Sequence, residues 1–164
     1  MNLISLPAAI TLTGWSERTF WRRFAEGSLA RQTEKRGSMI CFALIAPHLC
    51  VPLEAGDMSV LASADAGDAL AQNDLALIFL ANGKPKGALY WLELAARQDC
   101  ADAMNLLANC YIGGNGVAKN DNQGMMWLAK AATLGHLISQ GQMQGMREMI
   151  FRQSPPGQDR AGVM

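Results

Sequence analysis

The chain has 164 residues, of which half are hydrophobic and 17% are charged, and its formal net charge is zero. This composition suits one domain or two small ones with a packed core, and it excludes a largely disordered chain. No apolar run reaches the roughly 18 residues that a membrane-spanning helix needs, and the first ten residues lack the basic start and long apolar stretch of a secretory signal.

The first predicted elements are two short helices separated by a tight turn. Ser5 can cap a helix over residues 6–13, because its hydroxyl can accept a hydrogen bond from the first turn. Gly14 can adopt the positive φ of a sharp turn, and Ser16 can cap a second helix over residues 17–26.

The second helix is predicted to carry arginines and aromatic side chains on different faces. Arg18 and Arg22 are four residues apart, as are Phe20 and Phe24. The sequence R-Q-T-E-K-R-G-S-M-I-C-F-A-L at 31–44 then indicates a basic turn leading into a buried strand. Two short helices followed by a β-hairpin with a basic tip form a winged helix.

Charge is unevenly distributed along the chain. Residues 14–38 hold six basic and three acidic side chains, a net charge of +3, so the remainder sums to −3. A basic unit beside a slightly acidic remainder favours contact between the basic unit and phosphates. The alternative is an arginine face that is simply solvated.

The pattern T-G-W-S-E-R-T-F-W-R-R-F-A-E-G-S-L, followed by the K-R-G-S turn and an apolar strand, resembles the MerR and excisionase-type winged helix-turn-helix over residues 3–49. In that family the helix after the turn enters the DNA major groove. The resemblance therefore implies double-stranded DNA as a partner and a role in transcription regulation. Matched by position, the implied DNA-contacting residues are Ser16, Arg18, Thr19, Trp21, Arg22 and Arg23 in the helix, and Lys35, Arg36 and Ser38 in the wing.

Trp21 departs from the family pattern, which more often has a smaller or polar side chain at this position. A core position and an anchor for a protein partner are therefore alternatives for Trp21.

The second half of the chain repeats itself. The segment Y-W-L-E-L-A-A at 90–96 matches M-W-L-A-K-A-A at 126–132, 36 residues later. Upstream, a second set of matches has a spacing of 32, and it pairs Ala71, Leu75, Ala76 and Phe79 with Ala103, Leu107, Ala108 and Tyr111. Each unit is predicted to be helix, turn, helix, and such a period indicates stacked helical hairpins.

The second unit, residues 101–136, is similar to the Sel-one-like repeat, a relative of the tetratricopeptide repeat. The similarity lies in its G-x-G-V turn, its W-L-x-K-A-A helix and its closing Gly135-His136. The first unit is degenerate, with a shortened N-G-K-P-K-G turn and Asp99-Cys100 in place of Gly-His. The resemblance covers residues 69–140. In the family these repeats are scaffolds, which implies a protein partner or a homodimer formed through the repeats.

We expect helices at 57–65, 69–81, 86–97, 101–112, 123–134 and 137–151, with Asp57 capping the first. Two repeats are fewer than a solenoid usually needs, so the first and last of these helices should close the ends of the stack. The last helix has a methionine stripe at Met143, Met146 and Met149. The stripe either packs against the preceding hairpin or forms a partner-binding groove or dimer surface.

The predicted fold is mainly α. It comprises a winged helix-turn-helix unit at 1–52, a short solenoid of helical hairpins at 53–152 and a disordered tail at 153–164. The leading hypothesis for its function is a small DNA-binding transcriptional regulator whose repeats mediate dimerisation or partner binding. The alternative is a non-catalytic adaptor in which the winged unit is only structural.

Residues with catalytic potential are sparse. The two histidines, His48 and His136, are far apart in sequence, and His136 is assigned to capping or packing at the closing turn. The glycine-rich segment 113–116 lacks the Lys-Ser or Lys-Thr of a P-loop. The four cysteines have no CxxC spacing and are expected to be reduced core residues. We therefore expect a cytoplasmic protein with no enzymatic activity, no cofactor and no metal.

Overall fold

A computed structural model describes residues 2–26 and 39–153 of the chain. Two short strands, β1 (Leu3–Ser5) and β2 (Met39–Cys41), belong to the N-terminal unit, together with helices α1 (Leu6–Thr13), α2 (Glu17–Ala25) and α3 (Phe42–Ile45) and a 3-10 turn at Ala46–His48. The helices that follow are α4 (Asp57–Asp65), α5 (Ala69–Ala81), α6 (Pro85–Ala96), α7 (Ala101–Gly113), α8 (Asp121–Thr133) and α9 (Leu137–Gln153).

The predicted turn between the first two helices is confirmed. Gly14 follows α1 with φ +65°, and its N–H donates to the Thr11 carbonyl at 3.2 Å. Ser16 precedes α2, and its hydroxyl accepts a hydrogen bond from the Thr19 N–H at 3.2 Å. Ser5 caps α1 by accepting the Ala8 N–H at 3.3 Å.

The strand predicted through Leu44 ends earlier, and its partner was not predicted. β2 stops at Cys41 and pairs antiparallel with β1, where Ile4 faces Ile40. Phe42–Ile45 forms α3, so the prediction of a strand there is wrong. A short apolar run does not distinguish a buried strand from a buried helical turn. The partner strand β1 has only three residues, so the pairing with β2 is limited to three residues. The predicted wing tip falls in 27–38, outside the described residues.

The repeat region is confirmed as two helical hairpins, α5–α6 and α7–α8, each with extensive contact between its two helices. Every predicted helix end in this region lies within two residues of the observed end. α4 packs on α5 and α9 packs on α8, so both end helices cover the stack as expected.

The prediction that Asp57 caps α4 is wrong. Gly56 is the N-cap residue, and Asp57 is the first residue of the helix. The Asp57 carboxylate accepts the N–H of Glu54 at 2.8 Å, so Asp57 stabilises the preceding turn.

One hydrophobic core runs through the N-terminal unit and the repeats. Its fully buried large side chains include Phe20 from α2, Leu61 from α4 and Trp91 from α6. α1 contacts α6, and β1 contacts α4. The N-terminal unit therefore packs directly on the repeat stack.

Candidate interaction surfaces

Helix α2 presents most of the predicted DNA-contacting side chains to solvent. The exposed members are Ser16, Arg18, Trp21 and Arg22, and Thr19 is half-buried. Trp21 is 39% exposed, with its ring edge-on to Phe20 and Phe24 at centroid distances of 6.1 and 5.9 Å. Trp21 is therefore a surface side chain that packs against Phe20 and Phe24.

Two of the arginines on α2 interact with neighbours in the N-terminal unit. Arg22 Nε lies 3.9 Å from the Glu26 carboxylate, and both side chains are largely exposed, so the pair contributes little to stability. The Arg23 guanidinium lies 4.4 Å from the centre of the Trp15 ring, and its buried Nε has no hydrogen-bond partner. Arg23 is half-buried, unlike Arg18 and Arg22. Lys35, Arg36 and Ser38 lie outside the described residues.

Helix α5 has an exposed apolar face with one carboxylate. Leu70 and Leu77 are seven residues apart and exposed, and the exposed Asp74 lies between them. Neither α5 nor α7 contains a lysine or arginine, whereas α7 adds the exposed Asp102. The outer side of these helices therefore combines aliphatic groups with negative charge.

The closing turn of the second repeat holds a chain of polar side chains. His136 Nε2 lies 3.1 Å from the Asp102 carboxylate, and His136 Nδ1 accepts the backbone N–H of Ser139 at 3.2 Å. Because Nδ1 is an acceptor, the Ser139 hydroxyl donates to it at 2.7 Å, and the proton of a neutral imidazole lies on Nε2. Asn105 Nδ2 in turn donates to Ser139 Oγ at 2.8 Å and to Gln142 Oε1 at 2.9 Å.

In this hydrogen-bonded network the Asp102 carboxylate, the His136 imidazole and the Ser139 hydroxyl follow one another in the order seen in hydrolase triads. However, Ser139 is fully buried, and its oxygen already accepts the Asn105 amide. A substrate has no access to that oxygen, so the arrangement caps the start of α9 and ties α9 to α7. The capping role predicted for His136 is confirmed.

Sequence reasoning missed Asn105 and Ser139 in this network. Asn105 lies directly between the buried Met104 and the half-buried Leu106, and Leu107 follows as another buried residue. A polar residue within a run of buried positions could have suggested a buried hydrogen bond. Its partners lie 34 and 37 residues further along the chain, beyond the reach of local patterns.

The methionine stripe of α9 is divided between interior and surface. Met143 and Met146 are half-buried, and Met149 is exposed. Met143 corresponds to Leu75 of α5 and Leu107 of α7, which are both fully buried core residues. A partner-binding role of these methionines stays a prediction.

Architecture and surfaces together define a protein of stacked helical hairpins with a small N-terminal unit packed on the stack. Residues 69–100 and 101–136, which form the hairpins α5–α6 and α7–α8, each match the family model of the Sel1 repeat. No curated protein matches the chain. Within the part of the chain that the structure describes, no helix has the length and apolar character needed to cross a membrane.

Proposed function

We propose that this protein is a non-catalytic adaptor that binds another protein through its Sel1 repeats. The observation that carries the proposal is the outer face of α5, where Leu70 and Leu77 are exposed on either side of Asp74. Stacked hairpins present such faces side by side as one extended binding surface. A partner segment with aliphatic side chains next to lysine or arginine fits both the apolar groups and the charge.

The N-terminal unit serves this adaptor by closing one end of the stack. The Ser5 N–H donates to Asp65 Oδ2 at 2.7 Å, and the Ser5 hydroxyl donates to Asp65 Oδ1 at 2.5 Å. These bonds join the start of α1 to the end of α4. Burial raises the pKa of Tyr90, and the Asp65 carboxylate raises the pKa further, as expected for a charged group close to this junction.

The proposal places the adaptor in the cytoplasm. All four cysteines are free thiols, and Cys41, Cys100 and Cys110 are buried, which suits a reducing compartment. Burial raises the pKa of the Cys110 thiol. Burial also raises the pKa of Cys50, although Lys84 opposes this shift. A raised pKa leaves less of the reactive thiolate at neutral pH.

Affinity capture followed by titration of the purified partner tests the adaptor proposal. We expect Leu70→Ser/Leu77→Ser to weaken partner binding by about tenfold or more. Each substitution removes apolar contact area, and the loss should cost on the order of 1 kcal/mol of binding free energy. The matched control is Met125→Ser/Met126→Ser, two exposed apolar residues on α8. Equal binding by both double variants and the wild type would exclude the α5 face.

A second candidate function is binding of double-stranded DNA and regulation of transcription. The observation that favours it is the exposure of Arg18 and Arg22 on α2, beside the turn capped by Ser16. Bidentate arginine contacts to guanine or contacts to phosphates would supply the binding.

Titration of genomic DNA fragments at low salt tests the DNA-binding candidate. We expect Arg18→Ala/Arg22→Ala to abolish binding, whereas Arg97→Ala on the repeat domain should retain it. A wild-type protein that binds no fragment rejects this candidate and leaves the adaptor standing.

A further inference from the structure

The turn between α8 and α9 has more apolar surface than the corresponding turns. Leu134, Leu137 and Ile138 are 49%, 80% and 64% exposed, the last two at the start of α9. The corresponding turn sequences are A-G-D-A-L at 66–70, Q-D-C-A-D at 98–102 and L-G-H-L-I at 134–138. Only the third turn has bulky aliphatic side chains at three positions, so repeat architecture alone does not require them.

A depression lies next to this apolar turn. It has a volume of 390 Å³, and Leu134 forms part of its wall. Met104 and Trp127 supply apolar lining, whereas Arg97, Asp99 and Lys130 supply charge. The volume is sufficient for an aliphatic side chain from another molecule. The Trp127 indole N–H is buried without a hydrogen-bond partner, and the Lys130 ammonium lies 4.5 Å from the centre of the Trp127 ring.

We propose that this surface is a twofold symmetric homodimer interface. In it, Leu137 and Ile138 of each copy enter the depression beside Leu134 of the other copy. A projection and a depression on the same surface are what a twofold interface needs, because the projection of each copy then meets the depression of the other copy. The proposal does not depend on whether the repeats also bind a different protein.

Charge complementarity favours a second copy as the occupant. Arg97 and Lys130 are cationic, and Asp99 lines the same depression. On the other side of Leu134, Asp102 lies with Leu137 and Ile138 around a neighbouring depression. Because this surface carries both cations and carboxylates, its charges can pair with opposite charges on a second copy, whereas a partner of one sign would meet repulsion. The zero net charge of the chain also removes long-range repulsion between copies.

The end of the stack is otherwise closed against further hairpins. Gln144 and Glu148 of α9 occupy the positions of Ala108 and Ile112 of α7, which pack against Gly124 of α8. Gln144 Nε2 donates to Glu148 Oε1 at 3.1 Å, so this face of α9 is polar. Self-association is therefore expected at the apolar turn and not through continued stacking.

Sedimentation velocity of the full-length chain over a wide concentration range tests this proposal. We expect the wild type to convert from monomer to dimer as its concentration rises. Leu137→Ser/Ile138→Ser should raise the dimer dissociation constant by about tenfold or more, because two aliphatic side chains lose their contact area. Both residues are exposed, so circular dichroism should match the wild type, and thermal unfolding should match it at concentrations where the wild type is monomeric.

The matched control is Leu70→Ser/Leu77→Ser, which removes two exposed leucines from a different surface and should leave the dimer unchanged. Two results overturn the proposal: a wild type that stays monomeric at every concentration, or a dimer that the Leu137→Ser/Ile138→Ser variant retains. A monomeric wild type that still binds its partner protein overturns this interface alone and leaves the adaptor proposal intact.

Discussion

Asn73 and Asn105 show how one residue position differs between the two repeats. They are 32 residues apart at the same place in the hairpin, and both are buried. Asn105 donates to Ser139 and Gln142 of α9, whereas the side-chain oxygen of Asn73 has no hydrogen-bond partner. In place of Ser139 and Gln142, α7 has Ala103 and Leu106, which offer no polar side chain.

The two asparagines should respond differently to truncation. Asn105→Ala is expected to lower the free energy of unfolding by about 1–3 kcal/mol, because it leaves the buried partners of the amide unpaired. Asn73→Ala removes an oxygen that is already unpaired, and its loss should be about 1 kcal/mol smaller. Urea unfolding measures both variants. Equal losses would contradict the assigned hydrogen bonds.

A second contrast between single residues concerns the closing turns. Asp99 has φ 60° and is the one non-glycine residue with positive φ among the described residues. The corresponding Gly67 and Gly135 have φ 107° and 89°. Asp99→Gly should therefore stabilise the protein by about 0.5–1 kcal/mol in thermal unfolding, since the left-handed region disfavours a side chain.

The reciprocal variant is the control for this effect. A Cβ at Gly135 would have no neighbour within 4 Å, so Gly135→Ala tests backbone conformation without a steric clash. We expect Gly135→Ala to destabilise the protein by about 1 kcal/mol. A neutral result for both variants would mean that the turns adopt other backbone angles in solution.

At the scale of the elements, close packing within a hairpin depends on glycine at one helix contact. A Cβ at Gly124 of α8 would lie 2.5 Å from Ile112 Cγ1 and 3.0 Å from the Ala108 carbonyl oxygen of α7. Alanine recurs at matching positions of the two repeats, in the pairs Ala71/Ala103 and Ala76/Ala108, and such small side chains allow the helices to approach closely. The specific need for glycine at 124 follows only from the contact distances.

Gly124→Ala should lower the free energy of unfolding by about 1–3 kcal/mol, because the added methyl group forces α7 and α8 apart. Gly145→Ala is the matched helical control, since a Cβ there meets no atom within 4 Å. This control should instead stabilise α9 by about 0.5–1 kcal/mol through helix propensity. Chemical unfolding of both variants gives the comparison, and a Gly124→Ala variant as stable as the wild type would be inconsistent with the packing described.

Helices of the repeat region were predicted within two residues because their signals are local. Apolar spacing, alanine placement and turn residues all act within a few residues of the helix they define. The segment Phe42–Ile45 was wrongly predicted as strand, since its four residues are too few to show a period. β1 was missed because three residues carry no pattern until their partner strand is known.

At the scale of the whole molecule, the N-terminal unit and the repeats share one hydrophobic core and should unfold together. Asp65→Ala removes the acceptor of the Ser5 N–H and hydroxyl at this junction. We expect it to lower the free energy of unfolding by about 1–3 kcal/mol, because the two donors lose a charged partner. Ser63→Ala, an exposed change on the same helix, should stay within about 0.5 kcal/mol of the wild type.

Far-UV circular dichroism and tryptophan fluorescence test this coupling. The two probes should give coincident unfolding curves for the wild type and for Asp65→Ala. Trp15 and Trp21 lie in the N-terminal unit, and Trp91 and Trp127 lie in the repeats. Two separate transitions would show that the units fold independently and that the shared core does not couple them.

The amino-acid sequence by itself determined the helices α1, α2 and α4 to α9, the caps at Ser5 and Ser16, the turn at Gly14 and the two repeats. Each of these depends on residues that are neighbours along the chain, where helical periodicity and capping act. Tertiary structure alone decided the pairing of β1 with β2, the Asn105–Ser139–Gln142 network and the exposure of Trp21, Leu137 and Ile138. Those features depend on which distant segments come into contact and which side chains remain uncovered, and no local pattern encodes either.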